Sequence, residues 1–213
     1  MDAVERLAPL DILPGVRAAF LARIPGVDVA TDRETALTRL RPAHESLIQS
    51  LGFDKPSTAE QVHGNAVAVV NAASPYPAVG ADALATATPG LALGIYVADC
   101  AAIYFVDTRR RAIALAHSGR KGTESNILGA TISTMRDNFG TEPADLVVAV
   151  SPCIRPPHYE IDFAAQIAAQ AGEAGVGAFY DAGTCTASHP ERYYSYRREL
   201  GQTGRMLALL ALE

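Results

Sequence analysis

The run LALGIYVADCAAIYFVD, residues 91–107, shows what kind of core this chain builds. It is almost wholly apolar and rich in β-branched and aromatic residues, as expected of a strand buried on both faces. It is too short to cross a bilayer, Asp99 interrupts it, and Pro89-Gly90 opens it. We read it as one buried strand from Leu91 to Asp107, bent near Asp99. After a basic turn, Arg111 to His117 is a second apolar segment able to pair with it as a hairpin.

Outward from this pair, Val16 to Leu21, Val67 to Val70, Leu146 to Val150 and Met206 to Leu212 read as further strands. The period changes after Thr123. Ile127, Leu128, Thr131, Ile132, Met135 and Phe139 follow helical spacing, with Thr123 as N-cap and Gly140 ending the run. Asp162 to Gly172 predicts another helix. Pro42 predicts the first residue of an earlier one, whose face carries Leu47, Ile48 and Leu51 and which Gly52 ends. No regular βαβ rhythm links these elements, so the expected class is α+β, with mixed β-sheets packed against outer helices, rather than a Rossmann fold.

At ~150 residues per domain, 213 residues fit a single compact domain over 1–213. Hydrophobic residues at 49% and charged residues at 19% exclude intrinsic disorder. A net charge of -5 argues against a duplex-wide nucleic-acid footprint, leaving room only for a local basic pocket. Three scattered cysteines, Cys100, Cys153 and Cys185, are no disulfide framework. Asp2 and Glu5 stand where a signal peptide needs basic residues. A cytoplasmic protein acting away from membranes is the expectation.

Several common motifs fail on inspection. Gly175-Val176-Gly177 begins like a dinucleotide loop, but Tyr180 takes the third glycine's place. His44-Glu45 would need a histidine where Ile48 stands, and no Cys-x-x-Cys occurs. Three polar clusters remain beside apolar strands: Gln61-Val62-His63-Gly64, Ala98-Asp99-Cys100 and Ala116-His117-Ser118-Gly119. Two histidines and a cysteine suit a tetrahedral Zn²⁺ with one open position. The same residues also fit two satisfied core histidines and a buried thiol, and spacing alone leaves both readings open. The segment Ser118-Gly119-Arg120-Lys121-Gly122 leads into a helix start, where backbone amides, the helix dipole and Lys121 favour an anion. An ordinary strand-to-helix turn reads the same way.

Seven segments, in order, resemble the laccase-domain family, long labelled multicopper polyphenol oxidases and better regarded as purine nucleoside phosphorylases. They are Gln61-Val62-His63-Gly64, the run from Gly80 through Asp82 to Thr86, Val97-Ala98-Asp99-Cys100, Ala116 to Gly122, Ser151-Pro152-Cys153-Ile154, Tyr194 to Arg198, and Thr203-Gly204-Arg205. The resemblance implies a compact α/β/β/α architecture and a zinc site at His63, Cys100 and His117. It implies phosphorolysis of adenosine or inosine to free base and ribose 1-phosphate, with adenosine deamination as a second activity. The partners implied are a purine nucleoside and phosphate.

On this reading Asp99 joins the catalytic set, orienting a ligand or accepting a proton, and Ser118, Gly119, Lys121 and Gly122 hold phosphate. Cys153, Cys185, His158 and His189 stay outside the site. The chain departs from the family where Arg120 replaces its tryptophan, Lys121 its arginine, and Pro25 a glycine after Arg23. Two other enzymes fit the same residues. One is a metal-free Cys-His hydrolase or amidase acting on a peptidoglycan precursor. The other is a polyphenol oxidase, for which a single His₂Cys set is too few copper ligands.

Overall fold

The apolar run around Asp99 forms two strands instead of one. Leu93, Ile95 and Val97 point into the main core in its first half, and Ala102, Tyr104 and Val106 in its second. The inward face thus shifts from odd to even positions, which a continuous strand with period two cannot do. The computed structural model describes residues 3–213. Its first half contains β1 (Val4–Glu5), α1 (Ala8–Asp11), β2 (Val16–Leu21), α2 (Arg33–Ser50), β3 (Ser57–Thr58), β4 (Val67–Val69), β5 (Ala83–Thr86) and β6 (Ala92–Val97). The second contains β7 (Ala101–Asp107), β8 (Ala112–Ser118), α3 (Arg120–Glu124), α4 (Ile127–Phe139), β9 (Leu146–Val150), α5 (Phe163–Glu173), β10 (Ala178–Asp181) and β11 (Met206–Leu212).

Two mixed sheets result, in the orders β1-β2-β11-β6-β3 and β10-β9-β7-β8-β5-β4. The β6 and β7 halves belong to different sheets, and Ala98-Asp99-Cys100 crosses between them. Both outermost pairs near the site, β3 with β6 and β4 with β5, are parallel, while β7 and β8 form the expected antiparallel hairpin.

The layers follow from strand alternation. Phe20, Ile95, Ala208, Leu210, Tyr104, Ile113 and Leu115 fill the space between the sheets. The opposite face of the second sheet, including Ile103, Phe105 and Ala114, packs on Ile132 and Met135 of α4 and Ile167 of α5. The outer face of the first sheet, with Leu207 and Leu209 of β11, packs on Ile48 of α2. This is the expected α+β class in an α/β/β/α arrangement. The Tyr104 hydroxyl donates to the Ala19 carbonyl across the interior, at 2.9 Å, so the buried phenol is satisfied.

Two helix starts differ from expectation. Helix α2 begins at Arg33, where Asp32 accepts from the Glu34 and Thr35 amides, each at 3.0 Å. Pro42 lies inside this helix on its exposed side, so the carbonyl deprived of its amide partner, at exposed Thr38, can face water. Thr123 is not a cap. It sits inside α3 and its hydroxyl donates back to the Gly119 carbonyl at 2.8 Å. The cap of α4 is Asn126, in a left-handed conformation, accepting from the Gly129 amide at 3.0 Å. Gly140 ends α4 in a left-handed conformation, as expected.

Candidate active site

Strand register assembles the site. Ala83 of β5 pairs with Ala116 of β8, so Asp82 and His117 face each other one step further on. Ala102 of β7 pairs with His117, and Ala101 with Ser118, which brings Cys100 to Gly119. A Cβ on Gly119 would stand 2.5 Å from Cys100 Sγ, so the thiol occupies the space a side chain would need. Gly122 packs closely too: a Cβ there would lie 3.4 Å from the Gly64 and His117 carbonyls.

His63 arrives on a loop with two left-handed non-glycine residues, Gln61 (φ 65) and His63 itself (φ 64). Such a backbone needs external support. Asp82 provides it. One carboxylate oxygen accepts from the His63 amide at 2.9 Å, and the other from the amides of Gly64 at 2.7 Å and Val62 at 3.2 Å. The Gln61 side chain donates to the Tyr96 carbonyl at 2.6 Å and accepts from the Tyr96 amide at 3.0 Å, tying the loop to β6.

Asp82 also orients His117, whose Nδ1 lies 2.9 Å from Asp82 Oδ1. Burial pushes the Asp82 carboxyl up, but His117 and the Gly64 and His63 amides outweigh it and hold the group below its ordinary value. An ionised carboxylate only accepts, so Nδ1 carries the proton and Nε2 is left for a ligand. The donor atoms of His63, Cys100 and His117 all lie within 4.8 Å of one another, and the two imidazoles meet edge to face at 4.8 Å. Burial pushes the Cys100 thiol up, yet His117 and His63 bring it down to about 6. Burial likewise lowers His117, while Asp82 and Cys100 lift it to about 9. Two imidazole nitrogens and a thiolate, backed by a second-layer carboxylate, fit a metal of zinc's preferences.

This trio lines a cleft of about 660 Å³. Tyr96, Tyr159, Phe163 and Tyr196 give it aromatic walls, and Arg33, Arg120, Arg197 and Arg205 give it positive charge. Asp99 lies on the same wall with both carboxylate oxygens engaged. It accepts from the Thr186 hydroxyl and from the Arg197 amide, each at 2.8 Å. Burial pushes its carboxyl up, and the Arg197, Ser195 and Thr186 bonds pull against that.

The segment expected to hold phosphate is placed differently. Ser118 is buried with its hydroxyl 2.9 Å from Thr123 Oγ1, and helix α3 already begins at Arg120. Of this segment only Arg120 lines the cleft, while Lys121 is exposed and outside its lining. Arg23 is also outside the cleft lining. It pairs with Glu199 at 2.7 Å and lies over the Tyr194 ring. Cys153 and Cys185 stand apart from the metal-ligating group, and His158 and His189 are exposed. The sequence reading missed the support given by Asp82 and Gln61. An acid between Ala81 and Ala83 at the mouth of an apolar strand was the available signal for Asp82.

The comparisons agree with this architecture. A purine nucleoside phosphorylase of Deinococcus radiodurans is 38% identical over 81% of this chain and 78% of its own length. One from Pseudomonas aeruginosa is 33% identical over 75% of each chain. The crystal structure of YlmD from Geobacillus stearothermophilus superposes with a TM-score of 0.79 at 25% identity, covering 94% of this chain and 93% of that one. A Bacillus licheniformis hypothetical protein, YfiH, shares the fold with a TM-score of 0.84 at 20% identity, over 95% of both chains. A family model for the multi-copper polyphenol oxidoreductase laccase matches residues 26–166 and 158–213. The chain therefore belongs to the multi-copper polyphenol oxidoreductase laccase family, among relatives named purine nucleoside phosphorylases.

Proposed function

We propose that this protein is a zinc-dependent purine nucleoside phosphorylase acting on adenosine or inosine. The observation that carries this reading is the convergence of His63, Cys100 and His117 in one aromatic, positively charged cleft. Relatives bearing the phosphorylase name support it. His63, Cys100 and His117 would hold the zinc, with His117 oriented by Asp82. A bound zinc supplies Lewis acidity toward an oxygen at the reacting centre. A phosphate oxygen bonds to the ribose anomeric carbon as the bond from that carbon to the purine nitrogen breaks. The bonding pair leaves with the base, which takes up a proton. Tyr96, Tyr159, Phe163 and Tyr196 offer faces on which a purine stacks and from which water is excluded. Asp99 fixes the Ser195-to-Arg197 segment through the Arg197 amide and so positions Tyr196.

The test is to incubate purified protein with inosine or adenosine, with and without inorganic phosphate. Phosphate-dependent release of base and ribose 1-phosphate, lost on chelation and restored by Zn²⁺, is the expected result. Base released equally well without phosphate would mean hydrolysis. No turnover of either nucleoside by zinc-loaded protein overturns the proposal. Inosine formed from adenosine in phosphate-free buffer reports the second activity, deamination.

A metal-free reading has its own support in the low Cys100 thiol and the Asp82–His117–Cys100 alignment, which suits a nucleophile beside a base. Such an amidase would be inactivated by iodoacetamide at Cys100 and indifferent to chelators.

A further inference from the structure

The four cleft arginines are not equivalent. Arg120 is paired with Glu124 at 2.9 Å, and Arg197 with Glu160 at 3.1 Å. Among the described residues, Arg33 and Arg205 have no carboxylate partner. Arg33 is the first residue of α2, and its side chain makes no hydrogen bond among the described residues. Arg205 is half-buried. Its Nη1 donates to the Thr203 and Gly204 carbonyls, at 3.0 and 2.9 Å, which fixes the guanidinium and leaves Nε and Nη2 for another acceptor. Its guanidinium carbon lies 5.9 Å from the Tyr196 ring centroid.

Asp99 and Cys100 on the cleft wall attract Arg205 without forming an ion pair with it, so the two cations repel each other unpaired, and the half-buried Arg205 also pays for desolvation. Burial, then the neighbouring Arg33, lowers the Arg205 guanidinium below its ordinary value. A doubly charged anion between them would relieve both costs, and a guanidinium fork matches the oxygens of a tetrahedral oxyanion.

We propose that Arg33 and Arg205 form the oxyanion subsite of the cleft and hold the attacking inorganic phosphate. This assignment rests on the phosphorylase reading for its role, though the subsite can be tested without turnover. It moves the phosphate contact from the Ser118-to-Gly122 segment to the first turn of α2 and the residue before β11. The same chemistry would suit the 5′-phosphoryl group of a nucleotide, so both sources belong in the test.

The experiment is calorimetric titration of the zinc-loaded protein with inorganic phosphate alone, and separately with adenosine 5′-monophosphate. It is run on the wild type, Arg33→Gln, Arg205→Gln, Arg205→Lys and Arg39→Gln. Arg39 lies on the same helix, paired with Asp28 outside the cleft, and controls for general loss of charge. We expect phosphate binding to weaken about tenfold in Arg205→Gln, partly recover in Arg205→Lys, weaken about threefold in exposed Arg33→Gln, and stay unchanged in Arg39→Gln. In turnover, the KM for phosphate should rise in parallel while the KM for nucleoside stays within about twofold.

Arg33 sits on the surface, so Arg33→Gln keeps the test open if Arg205→Gln misfolds. No detectable phosphate binding by the wild type overturns the subsite. So does unchanged binding in Arg33→Gln. Weakened nucleotide binding with phosphate binding intact would mean that the pair reads the nucleotide, which also overturns the assignment to the attacking phosphate. If the wild type binds phosphate and the variants lose it, but no nucleoside is turned over, the subsite stands and the phosphorylase reading falls.

Discussion

Asp82 Oδ1 and His117 Nδ1 stand 2.9 Å apart because the β5–β8 ladder pairs their neighbours, Ala83 and Ala116. The same carboxylate accepts from three consecutive amides of the His63 loop. One buried acid thereby sets the positions of two of the three candidate metal ligands. Asp82→Asn keeps the shape but turns one acceptor into a donor, so either His117 or a loop amide loses its partner. Metal affinity should fall about 10–100-fold, measured by chelator competition, with Cys100 still present to be alkylated. Unchanged metal retention would show that Asp82 serves only the backbone.

Gly119→Ala probes the space beside the thiol. Its Cβ would meet Cys100 Sγ at 2.5 Å, and the Gly119 backbone (φ -100) is one any residue adopts, so the effect is purely steric. We expect a stability loss of about 1–3 kcal/mol and reduced zinc content. Gly172→Ala is the contrasting case. An added Cβ there meets nothing within 4 Å, and helix α5 should gain up to about 1 kcal/mol. Thermal unfolding of both variants, with elemental analysis, checks the pair.

His44 sets an acid limit on stability. It is buried in α2 with neither ring nitrogen hydrogen-bonded, and burial pulls its pKa down to about 4. Between its unfolded value of 6.5 and 4, the unfolded chain binds a proton that the folded chain refuses. Its contribution is therefore full above pH 6.5 and is lost as pH falls, by up to about 3 kcal/mol near pH 4. Denaturant melts from pH 7 to 4 should show a shallower decline in His44→Leu than in the wild type.

Asp99→Asn tests whether Asp99 positions Tyr196 or takes part in proton transfer. The Thr186 hydroxyl keeps an acceptor, but the Arg197 amide loses one at 2.8 Å. A positioning role predicts a rise of about tenfold in the nucleoside KM, with zinc content and kcat near wild type. A collapse of kcat with an unchanged KM would instead assign Asp99 to the proton transfer.

Strands such as Val16–Leu21, Leu146–Val150 and Met206–Leu212 were legible to the residue, because dense apolar runs of that length have few other uses. The crossing at Ala98-Asp99-Cys100 was not. Nearly every residue on both sides is apolar, so the shift of the inward face from odd to even positions leaves no trace in the pattern. The caps failed for a local reason. Thr123 has the side chain of a cap, but its hydroxyl finds the Gly119 carbonyl first, and Asn126 takes the role from a left-handed backbone.

From its residues alone this chain specified its class and most of its strands, because residue type and apolar period are local properties; His63, Cys100 and His117 stood out as candidates by residue type, and the ordered motifs of the family resemblance made them one set. Tertiary structure alone brought those three side chains within 4.8 Å of one another, placed Asp82 behind them, and left Arg33 and Arg205 in the cleft with no carboxylate partner among the described residues. Those relations depend on strand register and on the crossing between sheets. Both are set by pairings between segments far apart in the chain, which no local pattern records.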